Sequence, residues 1–305
     1  MKKYKEMKIE LARKMSNLAF SVAARSCNKI LIGKTYWKSV VLPSVLTGGA
    51  VVDWNKTELE QLQRIENKVW RHILGAPNYV AVEALRGEVG SATMEERDIK
   101  IKLCYAKHVL KGNNNLLREI IQEMKENSKG SQWLRIIRGY MKQVNISNME
   151  ELNQMTEENM KERVRIWGER KWRAGMEGKS TLNMYFMNKK EIKEENIYDN
   201  TFKSKLLLRC RTNSLQLNWR KRFSGGEEKC DICQEGESET LQHFLLHCQG
   251  LKDIRSRYAI TEDTILEKVL LFNPVSEGEI EKYTLYVEEL WKTRKTKSDL
   301  ALTQP

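Results

Sequence analysis

The chain has 305 residues, 40% of them hydrophobic and 31% charged, with four prolines and a formal charge of +12. That length allows one large domain or a few small ones, and the mixture favours amphipathic helices over strands. The charge favours a polyanionic partner, either nucleic acid or an anionic membrane surface, and is uninformative about fold.

The first residues, MKKYKEMKIELARKM, contain no apolar core of a secretory signal. The longest apolar run, Val40 to Val52, is interrupted by Pro43, Gly48 and Gly49 and is too short to span a bilayer. An intracellular setting, nucleus or cytoplasm, without a membrane partner is expected, with the six cysteines reduced. Cys27, Cys104 and Cys210 are scattered and read as small buried apolar residues.

Residues 1–50 carry ten Lys or Arg against Glu6 and Glu10. Ile9, Leu11, Met15, Leu18, Ala19, Val22 and Ala23 recur at helical spacing, so a first helix should run to about Ala24. Its basic face is either solvated or turned to phosphate. A second helical segment begins near Lys29, and Pro43 should bend or restart it. Thr57 and Glu60 have capping-box spacing, and the helix they open should bury Leu59, Leu62, Ile65, Val69, Trp70, Ile73 and Leu74. Gly87 and Gly90 should bracket a turn. Thr93 and Glu96 cap another helix, which buries Ile99, Leu103, Ala106 and Leu110. His72 and His108 have no ligand partner at helical spacing.

Residues 116–146 should form two modest helices separated near Ser128–Gly130. Ser147 and Glu150 cap a longer one that continues toward Ala174, with Gly168 as a possible break. Its second half alternates cations with Trp167 and Trp172. That interleaving suits stacking of nucleobases, but it equally suits packing, and at least one of the two Trp residues should lie in a core. Gly178-Lys179-Ser180 is no phosphate loop, because Arg173 stands where the upstream glycine is needed.

Residues 189–200 read as a solvated linker or a short helix. From Phe202 to Gly226 there is no acidic residue, and Lys203, Lys205, Arg209, Arg211, Arg220, Lys221 and Arg222 supply the candidate phosphate contacts. The apolar group Leu206 to Leu208 should dock the helix that carries the first four. Cys230, Cys233, His243 and Cys248 follow, as C-x2-C-x9-H-x4-C. Such a set can hold a tetrahedral ion, and four protein ligands leave no open position, so the site should be structural zinc. His247 competes with His243, but adjacent residues do not easily address one ion, which favours His243. Buried free thiols and polar histidines are the non-metal alternative. Asp231, Glu235, Glu237 and Glu239 make the cluster acidic, so it should pin the basic segment before it instead of contacting phosphate itself. Beyond it, Leu251 to Tyr258 and Thr264 to Phe272 should be helical. Ser276 and Glu279 open a last helix packing through Tyr283, Leu285, Tyr286, Leu290 and Trp291, with a frayed end.

The order LLLRCRTNSLQLNWRKR, the Cys/His cluster and a helix beginning LKDIR resembles the C-terminal region of reverse transcriptases of non-LTR (LINE-type) retrotransposons. The segments YWKSVVLPSVLTGGAVVDW and LQRIENKVWRHILGAPNYVAVEALRGEVG are similar to the thumb and post-palm region of that family. The resemblance implies a thumb that cradles a primer–template duplex and a knuckle that helps place nucleic acid. Of the family's functional residues, only Cys230, Cys233, His243 and Cys248 carry over. The chain lacks the Tyr-x-Asp-Asp pair that holds the polymerase metals, and it has no carboxylate–lysine nuclease motif. Thr47-Gly48-Gly49 replaces the family's Tyr-Gly. The expectation is therefore an all-α, non-catalytic fragment that begins after the palm, or a decayed reading frame, with RNA or DNA as partner. Its parts would be a thumb-like region (1–146), a helical linker with the basic segment (147–228), the CCHC zinc knuckle (229–249) and a C-terminal helical hairpin (250–305). Two alternatives remain open: part of an RNA-directed DNA polymerase whose palm is supplied elsewhere, and a zinc-stapled protein-interaction module.

Overall fold

A computed structural model describes residues 1–26, 28–112, 119, 123, 131–233 and 235–302, the last five by their helical backbone alone. Among these the fold is all-α, and the β-structure is one isolated antiparallel bridge between Lys229 and Ser238. The chain forms two compact units, Met1–Trp70 with Gly90–Gly175, and Arg71–Val89 with Met176–Pro305. No helix among the described residues is long and apolar enough to cross a membrane.

The first unit opens with α1 (Lys2–Ala24) and α2 (Lys29–Tyr36), followed by a π-turn (Trp37–Val41) and α3 (Leu42–Leu46). The helical backbone runs on from α2 through the π-turn into α3, and Pro43, the second residue of α3, directly follows the wider turn. The buried face of α1 is narrower than its apolar spacing suggests: Ala12, Ser16, Ala19 and Ala23 are enclosed, while Leu18 and Val22 are exposed. Small residues at this spacing let neighbouring backbones approach, and the larger ones fall outside the contact.

Helix α4 (Lys56–Leu74) buries the expected stripe, including Leu62, Val69, Trp70 and Ile73. Its capping box lies earlier than Thr57, on Asn55 and Glu58: each backbone N–H donates to the other's side chain, at 2.8 and 2.9 Å. Glu66 on the same helix is fully buried and accepts from the Trp37 indole at 2.9 Å and from Arg97 at 3.0 Å. The unit thus encloses a charge with its partners, as a buried carboxylate requires.

Helix α5 (Val82–Val89), in the second unit, replaces the expected turn, and Gly87 lies inside it. Helix α6 (Met94–Lys111) is capped by Thr93 and Glu96 as expected. Helix α7 (Gln132–Gln143) matches the second of the two helices expected over 116–146; the first, apart from Glu119 and Glu123, which are helical, lies like Cys27 outside the described residues. Helix α8 (Met149–Gln154) is capped by Asn148 and Glu151, one residue later than expected, and ends at Met155. Helix α9 (Glu157–Met176) then runs unbroken through Gly168. A side chain there would meet the Glu96 carboxylate at 2.4 Å, so this glycine serves close approach, not a break. Ile99, Leu103, Ile137, Met141, Leu152, Met160 and Val164 form one core from α6 to α9. Trp172 is buried, and Trp167 is half-buried at the edge of that core.

The second unit also contains α10 (Asn183–Asn188), α11 (Phe202–Arg211), a 3₁₀ segment (Asn218–Ser224), α12 (Lys252–Arg257), α13 (Leu266–Val269) and α14 (Glu277–Leu302). Helix α14 packs on α11 and α12 through Tyr283, Tyr286, Val287, Leu290 and Trp291; Leu285 points outward, and the helix extends to Leu302. Residues 189–200 form no helix, and as a linker they are solvated only in part: half are exposed. Lys189 and Ile197 are buried there, and the Glu195 N–H donates to the Glu88 carbonyl at 3.0 Å.

Candidate metal centre and basic turn

Cys230 and Cys233 lie on a turn closed by the Lys229–Ser238 bridge, in which the Cys230 N–H donates to the Glu237 carbonyl at 2.8 Å. His243 and Cys248 are five residues apart, which on a regular α-helix of 3.6 residues per turn would separate them by about 140°. The segment His243–His247 is instead a π-turn, and the Cys248 N–H donates to the His243 carbonyl at 2.8 Å. The wider turn brings both side chains to one face.

The four ligand atoms lie within 4.8 Å of one another. Sγ of Cys230 is 3.8 Å from Sγ of Cys248, and Sγ of Cys233 is 3.5 Å from Nε2 of His243. Thiolate and imidazole bonds of about 2.3 and 2.0–2.1 Å around a tetrahedral ion give edges of about 3.8 Å and 3.5 Å. The side chains therefore fit a four-coordinate metal, and the sulfurs are too far apart for a disulfide at about 2.05 Å.

Nδ1 of His243 lies 2.7 Å from Oε2 of Glu237. A proton held on Nδ1 by that carboxylate leaves the Nε2 lone pair directed at the cluster. His247 is exposed, its Nε2 lies 3.3 Å from Nε2 of Gln242, and it stands outside the cluster. Within the thiol pair, the hydrogen bond with Cys248 holds the Cys230 thiol well below its ordinary value, and the same contact raises that of Cys248.

Two further residues shape the knuckle without a sequence signal of their own. A side chain at Gly250 would sit 2.7 Å from the Ile232 carbonyl, so the turn between the first two cysteines rests directly on this glycine. Arg255 donates to the Cys248 carbonyl at 2.6 Å.

The candidate phosphate contacts separate into three groups. Arg211 is not on the surface. Its side chain is fully enclosed, donating to the carbonyls of Leu270 and Leu271 at 2.9 and 2.7 Å and pairing with Glu88 and Glu195 at 3.0 and 3.2 Å. A cation so committed cannot reach phosphate, and the expectation for it is corrected. Lys203, Lys205 and Arg209 are partly exposed on α11; the stem of Lys205 lies across Gly75, and Nε of Arg209 is buried. Arg220 is also partly covered, donating to the Asn213 carbonyl at 2.9 Å with its guanidinium 5.2 Å from the Tyr79 ring.

Lys221 and Arg222 are exposed on the 3₁₀ segment, together with Phe223. The Arg222 guanidinium lies 4.8 Å from the ring centroid of Trp219 and 4.9 Å from that of Phe223. Gly225, at φ +74°, ends the segment in the left-handed conformation.

This basic turn is tied to the knuckle through Asn218. Its side-chain amide donates to the Lys229 carbonyl at 2.8 Å and to Asp231 at 2.7 Å, and its backbone N–H donates to Glu239 at 2.6 Å. Glu239 is buried and accepts two bonds from Arg294 of α14, at 2.6 and 2.7 Å. Three of the four acids of the cluster, Asp231, Glu237 and Glu239, are thus structural acceptors. No family model, curated protein or solved structure matches the chain.

Proposed function

We propose that this chain is a non-catalytic, zinc-stabilised helical nucleic-acid-binding region of the kind that follows the palm in non-LTR retrotransposon reverse transcriptases. Zinc is the ion that best suits three thiolates and an imidazole at tetrahedral spacing, and four protein ligands make its role structural. In small finger peptides such an ion contributes on the order of 10 kcal/mol to folding. The observation that carries the reading is the bonding of Asn218 to the knuckle at Lys229 and Asp231. It gives an acidic metal turn a reason to adjoin a segment without acids, because fixing the turn fixes where Lys221, Arg222 and Phe223 point. The cations neutralise phosphates, and the exposed ring offers a surface to a base.

Metal content by native mass spectrometry, run beside a salt-titrated anisotropy assay on RNA and DNA, tests this. One zinc per chain is expected, with a linear fall of log K against log salt. Substituting Arg220, Lys221 and Arg222 together by Ala should reduce the slope on duplex DNA by up to about 2.7. Binding that is indifferent to salt would overturn the reading. A second reading, a zinc-stapled protein-interaction module, is favoured by Leu18, Val22, Leu31 and Ile32, all apolar and exposed on α1 and α2.

A further inference from the structure

We infer that the first unit carries a separate site for single-stranded nucleic acid, in the groove between the α7–α8 connection and α9, with Trp167 as the stacking surface. The inference stands on observations independent of the knuckle. A groove of about 400 Å³ is lined by Asn145, Arg163, Ile166, Trp167 and Arg170, among others. A second, of about 660 Å³, shares Asn145 with it and is lined also by Arg138, Lys142, Ser147 and Asn148. Neither is lined by a carboxylate.

Three of the nearby acids are already engaged, while Glu150, next to the larger groove, is exposed. Arg165 pairs with both Glu162 and Glu169 at 2.6 Å, and Arg163 pairs with Glu151 at 2.8 Å. Arg138, Lys142 and Arg170 are exposed and make no ion pair among the described residues. Arg170 thus lines the groove of the half-buried indole, and Arg138 and Lys142 line the groove that adjoins it at Asn145.

Charge complementarity selects a polyanion, and the indole selects one with flat, stackable faces. Every base has a π-face, so recognition would be tolerant of sequence. The Lys171 ammonium lies 5.0 Å from the centroid of the Trp167 ring, over one face, and is itself paired with Glu95, so it is not counted among the free cations and a base would use the other face. A duplex keeps its bases stacked inside and could use only the cations. An acidic peptide matches the charge but leaves the indole without a flat partner.

The test measures binding of the full chain to oligo(U) and oligo(dT) of about 15 nucleotides and to a duplex of equal length. Trp167→Ala should weaken single-strand binding about tenfold and duplex binding little, and Trp167→Phe should restore most of it. Because Trp167 also packs against the core, the surface variant Arg138→Ala/Lys142→Ala/Arg170→Ala is the second arm. It should retain the wild-type melting curve and lower the single-strand salt slope by up to about 2. Single-strand binding unchanged in that variant overturns the inference, as does equal loss on duplex in Trp167→Ala. Displacement of oligo(U) by poly-glutamate as readily as by unlabelled oligo(U) also overturns it and marks the groove as an acidic-peptide surface. Lys221→Ala/Arg222→Ala, measured in parallel, separates the two sites: loss there alone leaves the knuckle reading standing and removes this one.

Discussion

Arg211 and Glu88 form an ion pair, Nη2 to Oε1 at 3.0 Å, in which both side chains are fully enclosed. They stand 123 residues apart in the sequence. The guanidinium also lies 4.2 Å from the Phe272 ring centroid, and Tyr198 donates its hydroxyl to the same carboxylate. Burial is the strongest single influence and opposes the Arg211 charge, but Glu88, Tyr198, Glu195 and Tyr185 together outweigh it, so the guanidinium stays protonated and its pKa is raised. Removing one partner leaves the other charge stranded. Arg211→Ala should destabilise the second unit by about 3–5 kcal/mol, measured by urea unfolding. Replacing both partners by apolar residues of similar volume should cost much less.

Glu237 holds His243 in the tautomer that points Nε2 at the cluster. Glu237→Gln, which keeps the shape and loses the charge, should weaken metal affinity by about 10–100-fold in a chelator competition. Fold content at saturating metal should be unchanged.

Gly250 leaves no room for a Cβ, with Ile232 Cγ2 at 2.6 Å and the Ile232 carbonyl at 2.7 Å. Since the carbonyl belongs to the turn between Cys230 and Cys233, relief must come from moving that turn. Gly250→Ala should destabilise by about 1–3 kcal/mol and lower metal affinity at the same time. Thermal melts with and without chelator would separate the two effects.

Asn218 carries no charge, yet its substitution should affect nucleic-acid binding. Asn218→Ala removes two hydrogen bonds that fix the basic turn, while leaving Lys221 and Arg222 in place. Affinity should fall several-fold with the salt slope nearly unchanged, because the number of cations is the same. Lys221→Ala/Arg222→Ala should instead lower the slope itself. Parallel salt titrations of the two variants read the difference.

Lys34 gives the first unit a pH dependence. Burial, then the neighbouring Lys38, lower its pKa from 10.5 to about 8. The unfolded chain therefore binds more protons than the folded one between about pH 8 and 10.5, and this group's contribution to stability rises with pH across that window. Lys34→Met should abolish that increment, so the stability difference between wild type and variant should shrink or reverse from pH 8 to pH 10. Urea melts at the two pH values measure it.

The sequence by itself determined the local features. The apolar stripe of α4, the Thr93–Glu96 cap, the start of α14 and the all-α class follow from spacing and backbone chemistry that neighbours along the chain decide. The spacing of Cys230, Cys233, His243 and Cys248 likewise selects one cluster, since a C-x2-C turn and a nearby pair can meet without help from distant segments. Where two capping choices lay close together, as at Asn55 or Asn148, the pattern marked a helix start but not the residue that closes it.

Tertiary structure alone decided which charges are surface and which are interior. Arg211 and Lys221 belong to the same acid-free segment, yet one is enclosed by Glu88 and the Leu270 and Leu271 carbonyls while the other is exposed. Nothing within ten residues of Arg211 supplies its carboxylates, so no local pattern announces its burial. The bonds of Asn218 to Lys229 and Asp231, and of Arg294 to Glu239, are of the same kind. Their partners lie beyond the reach of one helix or turn, and side-chain burial is a property of how elements pack.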